Sequence, residues 1–440
     1  MKLKNFTAIT LALLSISVKL NAQSPAREFV PFTQFLARTK AMDSSHMRMQ
    51  SSRVRDSRSF DAMRKHVLSM YEGVHVSHSF VQGASHVDCV PIAEQPTIRQ
   101  LGLKAIEEAP PESMLATHKA EEDKSAGLSS SPTFPEDSVQ GMDEFGNQAF
   151  CEAASIPMRR IEMEELMQFP TLEDFFRKKP AGSLTAEEAP ATAGATHKYS
   201  IFRQYVDNAG ANSSINLWSP YVNTSVGQIF SLFQQWYVGG SGAALQTAEV
   251  GWQNYPAKYG DQRSRLFIYY TADNYVHTGC YNHDCAAFVQ TSNTATLGGA
   301  FTNYSVYGGT QYDFSAQFYL YNGNWWLAIQ GTWIGYYPGS LYRGGQLSRF
   351  AQRIDFGTET VGTTTWPGAG SGAWSTAGWS RAAYQRNLYY IRTTGGTVWD
   401  SLSPIDPSPA CYNTSGPYYS SSAGWGIYFY AGGPGGSGCQ

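Results

Sequence analysis

Short runs of alternating or aromatic-rich residues recur along the second half of the chain and predict β-strands. Gly, Asn and Pro separate them, and no long segment there has the helical period. The runs are SINLWSPYV, RLFIYYTA, QYDFSAQFYLY, NWWLAIQGTWIGYY, RIDFGTETVG and GWGIYFYAGG. Many short strands at close intervals predict an all-β domain, an antiparallel β-sandwich or jelly roll.

The first half has a mixed pattern. The runs REFVPFTQFLARTKAM and DAMRKHVLSMYEG carry apolar residues at helical spacing. GVHVSHSFVQGASHVDCVPI alternates as a hairpin does, and IEMEELMQFPTLEDFFRK indicates a short helical end. We expect a small α+β domain in front of the all-β domain.

Composition divides the chain near residue 198. All 11 tryptophans lie after that point, and an Ala-, Thr-, Gly- and Pro-rich segment precedes it. The first residues carry two lysines, an apolar run and a small residue at Ala22, as a secretory signal peptide does. The expected parts are a signal peptide over 1–22, the α+β domain over 23–177, a linker over 178–197 and the all-β domain over 198–440.

Charge and hydropathy limit the expected partners. The net charge is −3 and the sequence pI about 6.3, so no overall field favours nucleic acid or an anionic membrane. After the signal peptide no segment approaches the roughly 20 apolar residues of a membrane span. The sequence predicts an exported protein, extracellular or periplasmic, with neither nucleic acid nor a membrane as partner.

Six cysteines in an exported chain predict three disulfides. Sequence alone permits about 15 pairings of six cysteines. Proximity favours Cys280–Cys285, Cys411–Cys439 and, across the N-terminal part, Cys89–Cys151.

Histidine and cysteine chemistry finds little support in the all-β part. Residues 198–440 contain two histidines, His277 and His283, and both lie in the same short segment, HTGCYNHDC. No serine there has the flanking sequence of a nucleophile elbow. The same loop has the residue types of a zinc knuckle, but export favours a disulfide, with the histidines exposed beside it. No cofactor and no metal site is expected.

Two glutamates are the candidate chemical groups. Glu249 and Glu359 are the only glutamates in 198–440, and both lie in predicted strands, where an unpaired charge is costly. Each lies two residues from a glycine on its own face of the strand, which leaves room for another group to approach. The alternative is that each pairs with an arginine such as Arg265 or Arg353 on a neighbouring strand.

Several motifs in fixed order resemble the neprosin family, whose plant representative is a glutamic peptidase. They are INLWSPYV, FSLFQQWYV, the run from AEVGWQNYPAKYGD to GCYNHDCAAFVQ, GNWWL with IGYYP, and GTET before a Gly-Ser-Gly turn. The pieces DCVPIAEQP and CEAASIPMRR resemble that family's activation peptide. The resemblance is strongest over residues 198 to 380, and it departs from the plant pattern at GTET and at Ala286 and Ala287.

The resemblance implies a zymogen whose catalytic pair is Glu249 and Glu359. The pair would hold one proton at acid pH, the ionised member activating a water and the protonated member polarising the peptide carbonyl. It also implies cleavage after proline, with the pro-domain as intramolecular inhibitor and proline-containing peptides as substrates. Further candidates are aromatic side chains for proline rings and amides for the oxyanion: Trp326, Tyr269, Trp374, Gln235 and Gln330.

Two other classes of protein stay open at this stage. Paired carboxylates in an aromatic groove also describe glycosidases, and a β-sandwich with exposed aromatic rings also describes lectins. A carbohydrate-active hydrolase and a sugar-binding protein are therefore the alternatives to a peptidase.

Overall fold

The computed structural model describes residues 28–46, 53–115, 141–178, 196–422 and 424–439. The predicted signal peptide and most of the predicted linker lie outside these residues. The described residues up to Lys178 are called the N-terminal region below, and those from Thr196 onward the β-domain.

The N-terminal region is a small α+β unit. Its elements are α1 (Phe32–Ala41), α2 (Ser57–Tyr71), β1 (Ser79–Gln82), β2 (Ser85–Pro91), α3 (Pro96–Leu101), β3 (Ser155–Arg159), α4 (Met163–Leu166) and α5 (Leu172–Phe176). The strands form an antiparallel sheet in the order β1-β2-β3. Capping fixes two helix starts: Asp56 accepts a hydrogen bond from the Ser59 amide before α2, and Thr171 from the Asp174 amide before α5.

The β-domain contains fifteen strands and one short helix in its described residues. They are β4 (Thr196–Asn216), β5 (Gln228–Gly239), β6 (Gln246–Asn254), α6 (Pro256–Tyr259), β7 (Arg265–Thr271), β8 (Cys280–Tyr281), β9 (Val289–Gln290), β10 (Asp313–Tyr321), β11 (Asn324–Ile329), β12 (Thr332–Tyr337), β13 (Ala351–Gly362), β14 (Ala383–Arg392), β15 (Thr397–Trp399), β16 (Ser403–Ile405), β17 (Asn413–Ser420) and β18 (Gly426–Gly432).

The strand β4 joins two layers of one curled antiparallel sheet. The main path runs β8-β7-β6-β5-β13-β4-β10-β11-β12-β9, and β14 with β18 and β17 extends from β4. The first half of β4 pairs with β13, whereas its second half pairs with β10 and β14. The change occurs near Gly210, where a side chain would meet the Phe318 carbonyl at 2.0 Å. The sheet thereby folds back on itself.

The two faces of the β5-β6-β13 layer bury different partners. One face packs inside the β-domain, where its residues meet those of the second layer, among them Phe202, Phe233, Val250, Phe318 and Trp325. The other face is concave and is called the cleft face below. It packs against the N-terminal region, whose α2 residues Phe60, Met63 and Val67 share a cluster with Leu232 and Phe267.

The fold prediction is confirmed: the chain is mostly β, with a small α+β region in front. Strand alternation is also confirmed in β11, where Trp325, Leu327 and Ile329 face the inner core while Trp326 and Ala328 face the other way. Strand β4 begins at Thr196, two residues before the expected start of the all-β domain, and Lys178 at the other end of the expected linker contacts the β-domain.

The three expected disulfides are present in the structure, Cys89–Cys151, Cys280–Cys285 and Cys411–Cys439. Such bonds are typical of exported proteins. None of the helices in the described ranges reaches the length and apolar character that crossing a bilayer requires.

The glycines beside the two glutamates serve strand packing. A side chain on Gly251 would meet the Phe233 carbonyl at 2.2 Å and Gln234 Cβ at 2.5 Å. Gly357 has φ +146°, and a side chain there would meet the Ser200 carbonyl at 2.4 Å. The space that the sequence pattern predicted is therefore taken by the neighbouring strands and by the side chain of Gln234.

Gly357→Ala is expected to destabilise the β-domain. The new methyl group would push β13 away from β4, and the backbone conformation is one that alanine rarely adopts. We expect the free energy of unfolding to fall by about 1–3 kcal/mol, measured by denaturant unfolding. Gly438→Ala, where no atom lies within 4 Å of the added carbon, is the matched control. Equal stability of the two variants would contradict this account.

Candidate active site

Glu249 and Glu359 converge on the cleft face from two strands that are not adjacent. Glu249 lies in β6 and Glu359 in β13, and β5 runs between them. Both carboxylates are buried, with exposed fractions of 0% and 2%. Strand alternation places both on the cleft face, opposite core residues such as Val250 and Phe356. Two residues 110 positions apart in sequence are thus brought to one place.

A lysine of the N-terminal region joins the two carboxylates. Lys178 Nζ contacts Glu249 Oε2 and lies 2.9 Å from Glu359 Oε2. Because one nitrogen atom bridges both oxygens, these oxygens lie within two hydrogen-bond lengths, about 6 Å, of each other. The ammonium also lies 5.1 Å from the centroid of the Trp236 ring. Burial without such a partner would be costly for two carboxylates.

Glu359 has a second basic neighbour. His197, at the start of β4, directs Nδ1 to Glu359 Oε1, and both side chains are buried. Burial alone would raise the pKa of Glu359, but the Lys178 charge and the His197 hydrogen bond outweigh it and lower the pKa to about 2. Glu359 is therefore ionised in this arrangement.

Glu249 is held by three uncharged donors in addition to Lys178. Gln234 Nε2 donates to Oε2 at 2.8 Å, and Oε1 accepts from Thr247 Oγ1 at 2.8 Å and from Tyr275 OH at 2.7 Å. Burial raises the pKa of Tyr275 well above its usual value, and the nearby Glu249 charge raises it further, so the phenol is a donor here. These contacts fix the orientation of the Glu249 carboxyl group.

A cavity of about 340 Å³ extends along the cleft face beside Lys178 and Glu359. Its walls include the aromatic rings of Tyr199, Trp236 and Tyr275. At one end Arg203 forms a two-point ion pair with Asp355. Aromatic and aliphatic walls with a few polar groups are typical of a site that binds an organic ligand.

Of the other predicted site residues, only Tyr269 lies at the glutamates. It pairs with Glu249 across the strands, and its hydroxyl accepts a hydrogen bond from the Lys178 amide at 3.3 Å. Trp374 lines a different surface depression, with Tyr307 and Ala377. Trp326 is fully buried beneath residues of the N-terminal region, away from the cleft cavity.

The two predicted amides also lie elsewhere. Gln235 faces the inner core, where its amide nitrogen donates to Ser213 Oγ at 2.7 Å. Gln330 forms the turn between β11 and β12, with φ +50°, and its side chain accepts from the Ser315 amide. The prediction of these residues as oxyanion donors is wrong, since neither reaches the glutamates.

Several residues at the site escaped the sequence prediction, among them Lys178, His197, Gln234 and Tyr275. Lys178 and His197 lie at the two ends of the predicted linker, whose composition hides them. Gln234 is adjacent to the predicted Gln235, and alternation in β5 places one of the two on each face. Gln234 pairs with Gly251 and Gly357, and its side chain therefore lies on the cleft face. This pairing is known only from the strand register.

The arginine and zinc alternatives are both at odds with the structure. Arg265 pairs with Asp261, and Arg353 lies beside Asp355, so neither arginine neutralises the glutamates. In the cysteine loop His283 is buried, where an exposed residue was predicted, and it contacts Gln290. Among the described residues no cluster of His, Cys, Asp and Glu has the arrangement of a metal site.

The arrangement of the two carboxyl groups permits general acid–base chemistry. Two carboxyl groups this close disfavour simultaneous ionisation when no cation lies between them. The ionised group can accept a proton from a water, while the protonated group can donate one to a substrate. The cavity beside them has room for a chain of atoms.

Solved structures with related sheets include peptidases and an agglutinin. Scytalido-glutamic peptidase with a transition state analog inhibitor matches over 55% of this chain and 98% of its own, with 8% identity and a TM-score of 0.30. SCP-B, a member of the Eqolisin family of peptidases in a complex with the tripeptide Ala-Ile-His, matches over 55% and 98%, with 10% identity and a TM-score of 0.28. CG-16, a homodimeric agglutinin from chicken liver, matches over 39% and 93%, with 9% identity and a TM-score of 0.19. Similarity at this level supports no comparison of individual residues.

A family-level match covers the part of the chain that holds both glutamates. The Neprosin family model matches residues 227–434, which include β5, β6 and β13. The resemblance in sequence is thereby confirmed for this segment: residues 227–434 are a Neprosin family domain.

Proposed function

We propose that the protein is a glutamic endopeptidase whose catalytic pair is Glu249 and Glu359. The observation that carries this proposal is the bridging of both buried carboxylates by one nitrogen atom. A water that replaced that nitrogen would lie within hydrogen-bond reach of both groups. The Neprosin family domain over residues 227–434 supports a peptide substrate.

The neighbours of the two glutamates suggest which is the acid and which the base. Glu359 keeps His197 as a basic partner inside the β-domain, and this favours its ionised form. Glu249 has only uncharged donors there, so it takes the shared proton once Lys178 is absent. Glu359 then accepts a proton from the attacking water, and Glu249 protonates the leaving nitrogen.

The oxyanion of the tetrahedral intermediate needs a donor beside the pair. Gln234 Nε2 and Tyr275 OH both donate to Glu249 in the present structure and lie on the cleft face. Either group can turn to a developing oxyanion at little cost in reorganisation. Gln234 thus replaces Gln235 and Gln330 as the proposed donor.

The rings of the cavity favour a proline next to the scissile bond. Tyr199, Trp236 and Tyr275 line the space beside Glu359. A pyrrolidine ring is flat, apolar and already restricted in φ, so it packs on such rings with little loss of freedom. Cleavage on the C-terminal side of proline is the proposed preference.

The N-terminal region acts as an intramolecular inhibitor in this proposal. Lys178 lies two residues beyond the end of α5 and places its ammonium where the catalytic water would bind. Phe175 of the same helix lies 3.5 Å, ring centroid to Nζ, from Lys258 of the β-domain. The exported chain is then a zymogen, and a cut between Lys178 and Thr196 would separate the inhibitor from the enzyme.

Acid weakens this docking through two groups. In the docked state the Lys178 charge, together with His197, lowers the pKa of Glu359 to about 2. The stabilisation that Lys178 gives is therefore present at neutral pH and is lost as the pH falls toward 2. Partly buried His66 contacts the Asp284 carbonyl at 2.7 Å, and burial lowers its pKa below 6.5. Docking favours neutral His66, so its contribution is also lost as the pH falls below 6.5.

Glu249→Gln and Glu359→Gln are each expected to lower peptidase activity at least about 1000-fold, since an amide can neither accept nor donate the required proton. The assay measures cleavage of a quenched proline-containing peptide after acid treatment, with thermal unfolding as a check of folding. Glu144→Gln, at an exposed position, is the control. Activity of either variant near the wild-type value would refute the proposed pair, and cleavage of polysaccharide instead of peptide would favour a carbohydrate-active enzyme.

Lys178→Met is expected to give activity without prior acid treatment. Removing the ammonium leaves buried Glu249 without a charged partner and Glu359 with His197 alone. The expected cost to the docked state is about 3–5 kcal/mol. The wild-type chain should show a lag before peptide cleavage at pH 5, and the variant little or none. Lys65→Met changes an exposed lysine of the same region and should keep the lag. A lag of the same length in all three proteins would contradict inhibition through Lys178.

His66→Gln is expected to shift acid processing to lower pH. Glutamine keeps a donor for the Asp284 carbonyl but does not titrate, so the loss of docking below pH 6.5 is reduced. Gel analysis of chain shortening over a pH series gives the midpoint, which should fall by a few tenths of a unit. His75→Gln, at an exposed position, should leave it unchanged. A midpoint unaffected by His66→Gln would remove this histidine from the trigger.

A further inference from the structure

A side-chain amide of the N-terminal region occupies the open edge of the large sheet. The two-residue strand β9 ends the main strand path, with β12 on one side. On its other side Gln95 Oε1 accepts from the Gln290 amide at 2.9 Å, and Gln95 Nε2 donates to the Gln290 carbonyl at 2.9 Å. Two residues earlier, the Phe288 carbonyl accepts from Thr97 Oγ1 at 2.8 Å. These are the groups that a further strand would pair with.

A patch of aromatic side chains lies beside that edge. The aromatic patch consists of Val289, Trp326, Trp333 and Tyr336, and its rings are in contact, with Trp326 and Tyr336 centroids 4.6 Å apart. All four residues are buried here. None of them lines the cavity at the glutamates.

The cover of this patch comes from residues 98–115 of the N-terminal region. The aliphatic side chains that pack on it are Ile98, Leu103, Ile106 and Leu115. The Glu107 amide donates to Tyr336 OH at 3.2 Å. From residue 102 to residue 111 this cover has no helix or strand, so an irregular, extended peptide with aliphatic anchors is what the patch binds in the structure.

Two indole groups of the patch lack a hydrogen-bond partner. The N–H groups of Trp326 and Trp333 have no acceptor among the described residues, although Trp326 is fully buried. Buried donors are rarely left unpaired unless another ligand supplies the acceptor. The segment that covers the patch in this structure gives neither N–H group an acceptor, so a substrate peptide whose carbonyl groups reach them would gain hydrogen bonds that the cover does not make.

We propose that the edge of β9 and the aromatic patch form a second peptide-binding site, which holds an extended, aliphatic-rich segment of a protein substrate after the N-terminal region has left. The proposal rests on the proposed release of the inhibitor. The Gln290 amide and carbonyl supply backbone pairing, and the rings receive alternate apolar side chains, as in binding by strand addition. Departure of the N-terminal region would expose these four buried apolar residues, and an exposed apolar patch is typical of a surface that binds a partner.

The first test uses the full-length chain and needs no catalysis. Leu103→Asp with Ile106→Asp displaces the cover, and a fluorescent peptide of residues 94–108 is then titrated by anisotropy. We expect saturable binding, at least ten-fold tighter than to the wild-type chain, whose own segment occupies the site. Adding Trp333→Ala should weaken binding at least five-fold, whereas Trp399→Ala, a partly exposed tryptophan elsewhere, should not.

The following results of the binding experiment would refute the second peptide-binding site. A folded variant that does not bind the peptide, or binding unaffected by Trp333→Ala, refutes the site. Displacement of the peptide by cellohexaose would assign the patch to carbohydrate. If the double variant fails to fold, Gln95→Ala with Thr97→Ala takes its place, which removes the hydrogen bonds to the β9 edge and the local contact of Gln95 with the Ile92 carbonyl.

The second test separates this site from the catalytic one. The unlabelled 94–108 peptide is added to the acid-processed enzyme. It should raise the KM for β-casein at least three-fold and leave cleavage of a short quenched peptide unchanged. Equal inhibition of both substrates would place the peptide in the catalytic cleft and refute a second site. Absence of any cleavage would refute the proposed peptidase while leaving the binding result intact.

Discussion

The contact of one ammonium with two buried carboxylates is the constraint from which the chemistry of this molecule follows. Glu249 and Glu359 are removed from water by the packing around them, and such a pair needs either a cation or a shared proton. Lys178 supplies the cation in the structure. Acid supplies the proton instead. In this proposal the Lys178 cation compensates the buried carboxylates in the inhibited state, and a shared proton does so in the active state.

The sheet makes that contact possible by its register. Because β5 lies between β6 and β13, the two carboxylates reach across one strand and do not collide. Across the three strands β6, β5 and β13, Gly251 pairs with Gln234 and Gln234 pairs with Gly357. Because the two glycines have no side chains, Gln234 is the one side chain of this row, and its amide lies between the two carboxylates. Replacing either glycine would disturb Gln234 or the β4 backbone before it changed a carboxylate. The site is therefore built into strand pairing and does not depend on a loop.

The sequence allowed the fold class, the faces of the glutamates and the disulfides to be predicted, because these depend on local periodicity and on spacing. Strand alternation correctly predicted that Trp325 and Trp326 lie on opposite faces of β11. It does not predict what packs on the Trp326 face, which is the N-terminal region. Register is not a local property, so the sequence does not distinguish Gln235 from Gln234, which reaches the site. Lys178 and His197 lie in a segment of low complexity, and only tertiary structure brings them to Glu359.

The N-terminal region touches the β-domain through contacts that respond differently to acid. The Lys178 bridge and the His66 contact with Asp284 both weaken as the pH falls. The hydrogen bonds of Gln95 and Thr97 to the β9 edge are uncharged, and the aromatic patch is held by apolar packing. In the proposed activation, a fall in pH therefore weakens the contacts around the glutamates, and separation of the cover from the β9 edge depends on the proposed cut between Lys178 and Thr196.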